Sequence, residues 1–439
     1  MRDERFYLPY PAAWLGVVVV LFLTFCVWFA NVTPYRSSGI VNRQPVQDVG
    51  APDERQHANY VARIARGEGI PVFNPKDPNL YETYQSHQPP LYYFYSAAAA
   101  KLSGTDDPAS PSFGRAVRLA NALWGVAAIL GTYWLGVWGF RDRRIALAGA
   151  AILGLMPMFV ALCSAINNDP MLFALSSWSL AVIAYGLRYG WSIRVAAILG
   201  LLLGLAAVTK TTALAMYPVA LFAMIGFKGK RASLPAVLVG AGLAVAIAAP
   251  WWIRNTQMYG DPFAIGAFND AFVGSPRAAM FIEADGWWNY WIQSWVGWWT
   301  ARSWFGAFGY MDHFWEPTLY RVLMALALVL LLGWVLDQKT EQAKEDRPAT
   351  WVCGLYLALI LLFFIRFNMT YFQAQARYLY PAGGVIALGM GTGLVYFAKE
   401  RFVAAWVAVV VILAGLCAYT ATWLPGQFET RSRATRTLL

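Results

Sequence analysis

Apolar runs long enough to cross a bilayer recur from one end of the chain to the other, separated by short polar or basic segments. The first covers residues 11–31. Others follow at 115–140, 144–163, 170–187, 194–208, 211–226, 234–250, 318–337, 350–366, 378–398 and 402–420, about eleven in all. The pattern predicts an all-α polytopic membrane protein, a single transmembrane domain over 1–439. The first run is too long for a signal-peptide core and lacks a clean small-residue cleavage site, so it reads as a retained anchor. The runs at 194–208 and 211–226 are short for full crossings. They predict a tight hairpin whose tip, "VTKTT", reaches the outer side. Gly200 and Gly204 are spaced for close helix packing.

Charge orients these spans. Only 13% of residues are charged, 59% are hydrophobic, and mean hydropathy is +0.45. The net charge of +10 would suit nucleic acid, but the basic residues sit in short clusters with no basic face or stacking module, which argues against it. Such clusters mark cytoplasmic loops. With Arg2, Arg5 and the N-terminus in the cytoplasm, Arg141, Arg143, Arg144, Arg188, Arg194, Lys228, Lys230, Arg231, Lys339, Lys344, Arg347, Lys399 and Arg401 all fall on that side. The tail, with Arg431, Arg433 and Arg436, departs from the rule. Two long loops then lie outside, at 32–114 and 251–317. Chemistry on an apolar scaffold needs polar residues held clear of hydrocarbon, so the site is expected there. All four cysteines, Cys26, Cys163, Cys353 and Cys417, lie in predicted spans, which leaves no disulfide framework.

Within the first loop, "DERQHANYVARIAR" places Ala58, Val61, Ala62 and Ala65 at helical spacing before Gly67 and Gly69, predicting a helix over 53–66. Asp53 and Glu54 then sit in its first turn, where, taken alone, complementing the helix dipole is the simpler account of them. A second helix, over 91–102, opens after Pro89 and Pro90 in "HQPPLYYFYSAAAAKL". The second loop packs eight tryptophans between Trp287 and Trp315, mostly suited to the membrane interface or helix packing, with a minority left to stack on a sugar or line a lipid groove. The three histidines, His57, His87 and His313, all fall in outer loops. With Asp53 or Asp312 they leave a divalent-metal site open, although no HxxxH-type spacing supports it.

An Asp-Glu pair in the first outer loop, a following His and an "HxPPLYY"-like element resemble the GT-C superfamily of integral membrane glycosyltransferases, above all protein O-mannosyltransferases and lipid A aminoarabinose transferases. "NNDPM" at 167–171, "TKTTAL" at 209–214, "WWIRNTQMYGDP" at 251–262 and "ARYLYPA" at 376–382 are similar to further elements of those enzymes, in the same order. The His87-Gln88 pair departs from both subgroups. The resemblance implies transfer of a sugar from a polyprenyl-phosphate carrier to a lipid, glycan or protein acceptor at the outer face of a bacterial inner or plasma membrane, usually with inversion. It implies Asp53 as the catalytic acid of the first loop, Glu54 as its partner and Asp169 as the second acid. Lys210 and Arg377 would hold the donor phosphate; Arg302, in the tryptophan-rich run, suits a further cation for it and equally a side chain snorkelling to lipid headgroups. His57, His87, Gln88 and Tyr380 would line the substrate cleft. An O-antigen-ligase-like transferase and a secondary transporter are the alternative classes, although a transporter would place its ionisable residues nearer the bilayer midplane.

Overall fold

The computed structural model describes residues 10–41, 44–272 and 275–437, so Arg2 and Arg5 lie outside the described part, as do the side chains of Arg431, Arg433 and Arg436. The chain opens with helix α1, Pro11–Val32, whose proline sits in the first turn where no amide partner is lost. A short antiparallel hairpin follows, β1 Gly39–Val41 with β2 Gln44–Val46. Next come α2, Glu54–Ala65, the single turn α3, Leu80–Thr83, and α4, Leu91–Leu102. Gly67 and Gly69, both at positive φ, end the α2 segment as expected. Ala58, Val61 and Ala62 of α2 are buried against Tyr92, Tyr93 and Ala97 of α4, and the pair rests on Val117, Leu172 and Ala206 from three longer helices.

Those helices are α5, Pro111–Gly139, α8, Asp169–Tyr189, and α9, Ile193–Ala207. Between α5 and α8 the expected span 144–163 is broken into α6, Arg143–Gly154, and α7, Pro157–Cys163, bent by 64°. Pro157 explains the break, because its ring disfavours helical geometry at Met156, which is extended. After α9 the chain turns through Thr209 and Lys210 into a 3-10 segment, Thr211–Ala215, and α10, Met216–Ile225. At roughly 1.5 Å per residue neither α9 nor α10 spans a ~30 Å core. Neither is therefore a full crossing, and α10 packs on α8 and α16.

Helix α11, Leu234–Tyr259, continues through Pro250 beyond its expected end. Gly200 and Gly204 pack α9 on α11: a Cβ at Gly200 would stand 2.2 Å from the Gly240 carbonyl oxygen. Three short helices occupy the second loop, α12 Ile265–Ala271, α13 Ala278–Asp285 and α14 Val296–Phe305. Then come α15, Pro317–Asp337, α16, Glu341–Asn368, α17, Gly383–Ala398, and α18, Phe402–Thr437. The tail after Ala421, which carries no readable pattern, is a continuation of α18.

Among the described residues, seven helical segments are long and apolar enough to cross a membrane, or eight with α6–α7 as one bent span, against about eleven expected. Part of the difference is the 50-residue stretch Tyr380–Glu429, which holds both α17 and α18. Large apolar side chains are exposed along these helices, Leu328 and Trp351 at 66% each. Such continuous apolar surface belongs in lipid. All four cysteines are free and buried.

Candidate active site

One cavity of about 450 Å³ opens where α2, α8, the α9–α10 tip, the second loop and the end of α16 meet. Asp53, His57, His87, Gln88, Asp169, Lys210 and Arg377 all line it. They come from segments up to 324 residues apart, all outside the expected spans and on the one side that the charge pattern assigns to them.

The acids are held in two ion pairs. Arg377 Nη2 donates to Asp53 Oδ2 at 2.9 Å, and Lys210 Nζ to Asp169 Oδ1 at 2.5 Å. Asp53 occupies the N-cap of α2 with φ 61°, yet its side chain makes no capping bond. A left-handed backbone is unfavourable for a non-glycine residue and is held only where the surroundings impose it. Asp53 is therefore not serving as a cap. Asp169, the first residue of α8, sits at the positive end of that helix. Arg377 lies in a 3-10 turn, anchored where Ser303 Oγ accepts the Ala376 amide at 2.8 Å. Its Nε is buried with no partner among the described residues. Asp53, Asp169 and the Tyr378 hydroxyl keep this guanidinium charged although burial opposes it.

Glu54 is placed elsewhere. Its carboxylate accepts Arg118 Nη2 at 2.6 Å, Arg118 Nε at 2.8 Å and the Ile166 amide at 2.9 Å. Arg118 also donates to the carbonyls of Ala30, Thr33 and Pro34. This buried pair ties the first turn of α2 to α1, α5 and the approach to α8. Glu54 does not line the cavity, so a catalytic role beside Asp53 is not what its position supports: it is a tether that fixes Asp53. Sequence reading passed over Arg118, although an arginine inside an apolar span is itself a signal.

Both cavity histidines are committed. The Tyr93 hydroxyl lies 2.8 Å from His57 Nδ1. Burial holds the His57 imidazole well below its ordinary pKa, reinforced by Lys210 and Arg377. His87 Nδ1 donates to the Tyr84 carbonyl at 2.8 Å, and its Nε2 faces Gln88 Nε2 at 3.1 Å. Gln88 Oε1 in turn accepts from Asn168 Nδ2 at 3.1 Å. Burial pushes His87 down to about 4. With Nδ1 donating, its Nε2 lone pair is the acceptor facing the Gln88 amide. His313 sits apart, its ring edge-on to Trp423 and Phe428. No group of three metal-ligating side chains occurs among the described residues.

Two other expectations fall outside the cavity. Arg302 is wrapped by Trp298, Trp299 and Phe314, and Tyr380 is buried, donating to the Trp304 carbonyl at 2.7 Å. Among the described residues no tryptophan lines the cavity. Its apolar wall is phenylalanine instead, Phe263, Phe268, Phe272, Phe363, Phe364 and Phe367.

Residues 87–253 match the family described as dolichyl-phosphate-mannose-protein mannosyltransferase. No curated protein matches the chain by sequence. Among solved structures, the oligosaccharyltransferase of Archaeoglobus fulgidus tethered with an acceptor peptide is 15% identical, with a TM-score of 0.57 over 94% of this chain and 55% of that one. This chain thus spans little more than half of that enzyme. ArnT from Cupriavidus metallidurans bound to undecaprenyl phosphate is 15% identical, with a TM-score of 0.55 over 95% of this chain and 70% of that one. The arabinofuranosyltransferase AftD from Mycobacteria, also 15% identical, gives 0.53 over 96% and 27%. The fold of this chain is the GT-C fold.

Proposed function

We propose, with the GT-C fold as premise, that the chain is an inverting glycosyltransferase. It would take a sugar from a polyprenyl-phosphate donor and pass it to a hydroxyl acceptor on a lipid, glycan or protein, at the outer face of the membrane. The carrying observation is the convergence of two carboxylates and two cations on one cavity walled by phenylalanine. Asp53 accepts the acceptor hydroxyl's proton as that oxygen attacks the anomeric carbon, and the bond from that carbon to the phosphate oxygen breaks. The phosphate leaves with its charge held by Lys210 and Arg377. The phenylalanine wall suits the first isoprene units of the carrier.

Before donor binds, each cation is occupied by a carboxylate. Phosphate and carboxylate therefore compete for the same guanidinium and ammonium, so donor binding loosens Asp53 from Arg377 as the base is needed. The unpartnered Arg377 Nε gives the incoming phosphate a donor that costs no existing bond.

The test is transfer from a labelled polyprenyl-phosphate sugar by purified protein, with Lys210→Ala and Arg377→Ala in parallel. Both replacements should weaken donor binding, and Arg377→Lys should restore only part because the planar fork is lost. Normal donor binding and turnover in both alanine variants would place the phosphate elsewhere.

A further inference from the structure

The cavity holds more polar chemistry than proton transfer and phosphate binding use. Gln85 is 4% exposed, and its Oε1 is buried without a partner among the described residues. The same is true of Gln375 Oε1 and the Tyr84 hydroxyl. All three residues line the cavity. A buried acceptor left unpaired is costly, so three on one cavity call for a ligand that donates to them. Tyr84 also lies within electrostatic reach of Asp53 and Arg377, and burial keeps its hydroxyl protonated. Tyr84 thus stands near the proposed reacting centre, on the same cavity as the two glutamines. Two of the orphan atoms are amide carbonyl oxygens, which can only accept.

We infer that Gln85, Gln375 and Tyr84 form the subsite for the transferred sugar, that they read its hydroxyl hydrogens, and that the sugar carries no carboxylate. The inference rests on the transferase reading and narrows its substrate class. Charge argues the second half. The four charged residues of the lining are two acids and two cations, paired one to one. A donor phosphate claims both cations. The carboxylate of a uronic acid would then face amide oxygens and two aspartates, with no cation of the cavity left to receive it.

The experiment compares binding of three lipids to the full chain in nanodiscs: bare polyprenyl phosphate, the same lipid carrying a neutral hexose, and the same lipid carrying a uronic acid. The hexose should add about tenfold in affinity over bare lipid, as expected for one or two good hydrogen bonds, and the uronic acid should add nothing or weaken binding. Gln85→Ala and Gln375→Ala should each erode the hexose increment, with bare-lipid affinity as the control for folding. The inference is overturned if the uronic acid lipid binds as tightly as the hexose lipid, or if both variants keep the full increment. A chain that binds no polyprenyl phosphate at all contradicts the transferase reading itself, and this inference with it.

Discussion

At the scale of single residues, adjacent acids in one motif have separate duties. Asp53 faces the cavity and Glu54 faces Arg118, because Asp53 is the left-handed residue that precedes α2 and Glu54 is the first residue of the helix. Asp53→Asn should cut transfer by roughly 10²–10⁴. Polyprenyl-phosphate affinity should hold or rise, since Arg377 loses its competitor; an asparagine variant transferring at the wild-type rate would move the base to Asp169. Glu54→Ala should act on stability instead, leaving the buried Arg118 charge unpaired at a cost of about 3–5 kcal/mol. A melting midpoint equal to wild type would show that the tether carries nothing. His87 gives a pH signature. Its folded pKa, about 4, lies below the ordinary 6.5, so between those values the unfolded chain binds more protons and stability falls on acidification. The midpoint should drop from pH 6.5 towards 4, less steeply in His87→Gln; a midpoint that rises on acidification would contradict a buried neutral imidazole. The sequence pointed to Asp53, Asp169, Lys210 and Arg377 because each stands in a motif that resembles a GT-C element and lies between apolar runs on the side expected outside. It was silent on Gln85, Gln375 and Tyr84, ordinary polar residues whose meaning lies only in what they fail to bond.

At the scale of elements, hydrophobic periodicity located the helices well and their function as spans less well. Whether 144–163 is one crossing depends on Pro157, and whether 194–226 is two depends on helix lengths that a hydropathy run blurs. Glycine spacing was informative: Gly200 does sit against Gly240. Gly200→Leu should force α9 from α11, lowering the melting midpoint and displacing Lys210, which follows α9 directly. Gly242→Ala, on α11 with nothing within 4 Å of its added carbon, should leave both stability and transfer near wild type. If Gly200→Leu is as benign as Gly242→Ala, close packing is not what fixes the hairpin tip. The second loop shows the limit of composition, because its tryptophans pack on phenylalanine and tyrosine rings and around Arg302 while phenylalanines from α12 and α16 wall the cavity.

At the scale of the whole molecule, the charge asymmetry along the sequence corresponds to two ends of one structure. The residues expected outside meet at the large cavity. Arg141, Arg188 and Lys230, expected inside, meet Glu345 and Asp346 at a smaller one of about 130 Å³ where α5 and α8 end. Because the native cysteines are buried, single cysteines should report sidedness cleanly. In intact cells Lys76→Cys should react with an impermeant maleimide and Lys228→Cys should not; the reverse would invert the topology and the face of catalysis. The central claim is that Lys210 and Arg377, from distant segments of the chain, hold one donor phosphate. A structure of the protein with bound polyprenyl phosphate tests it most directly. The phosphate is predicted between the Lys210 ammonium and the Arg377 guanidinium, with Asp53 released and the isoprene chain along Phe268 and Phe367. A phosphate bound instead at the far end, among Arg141, Arg188 and Lys230, would contradict the account.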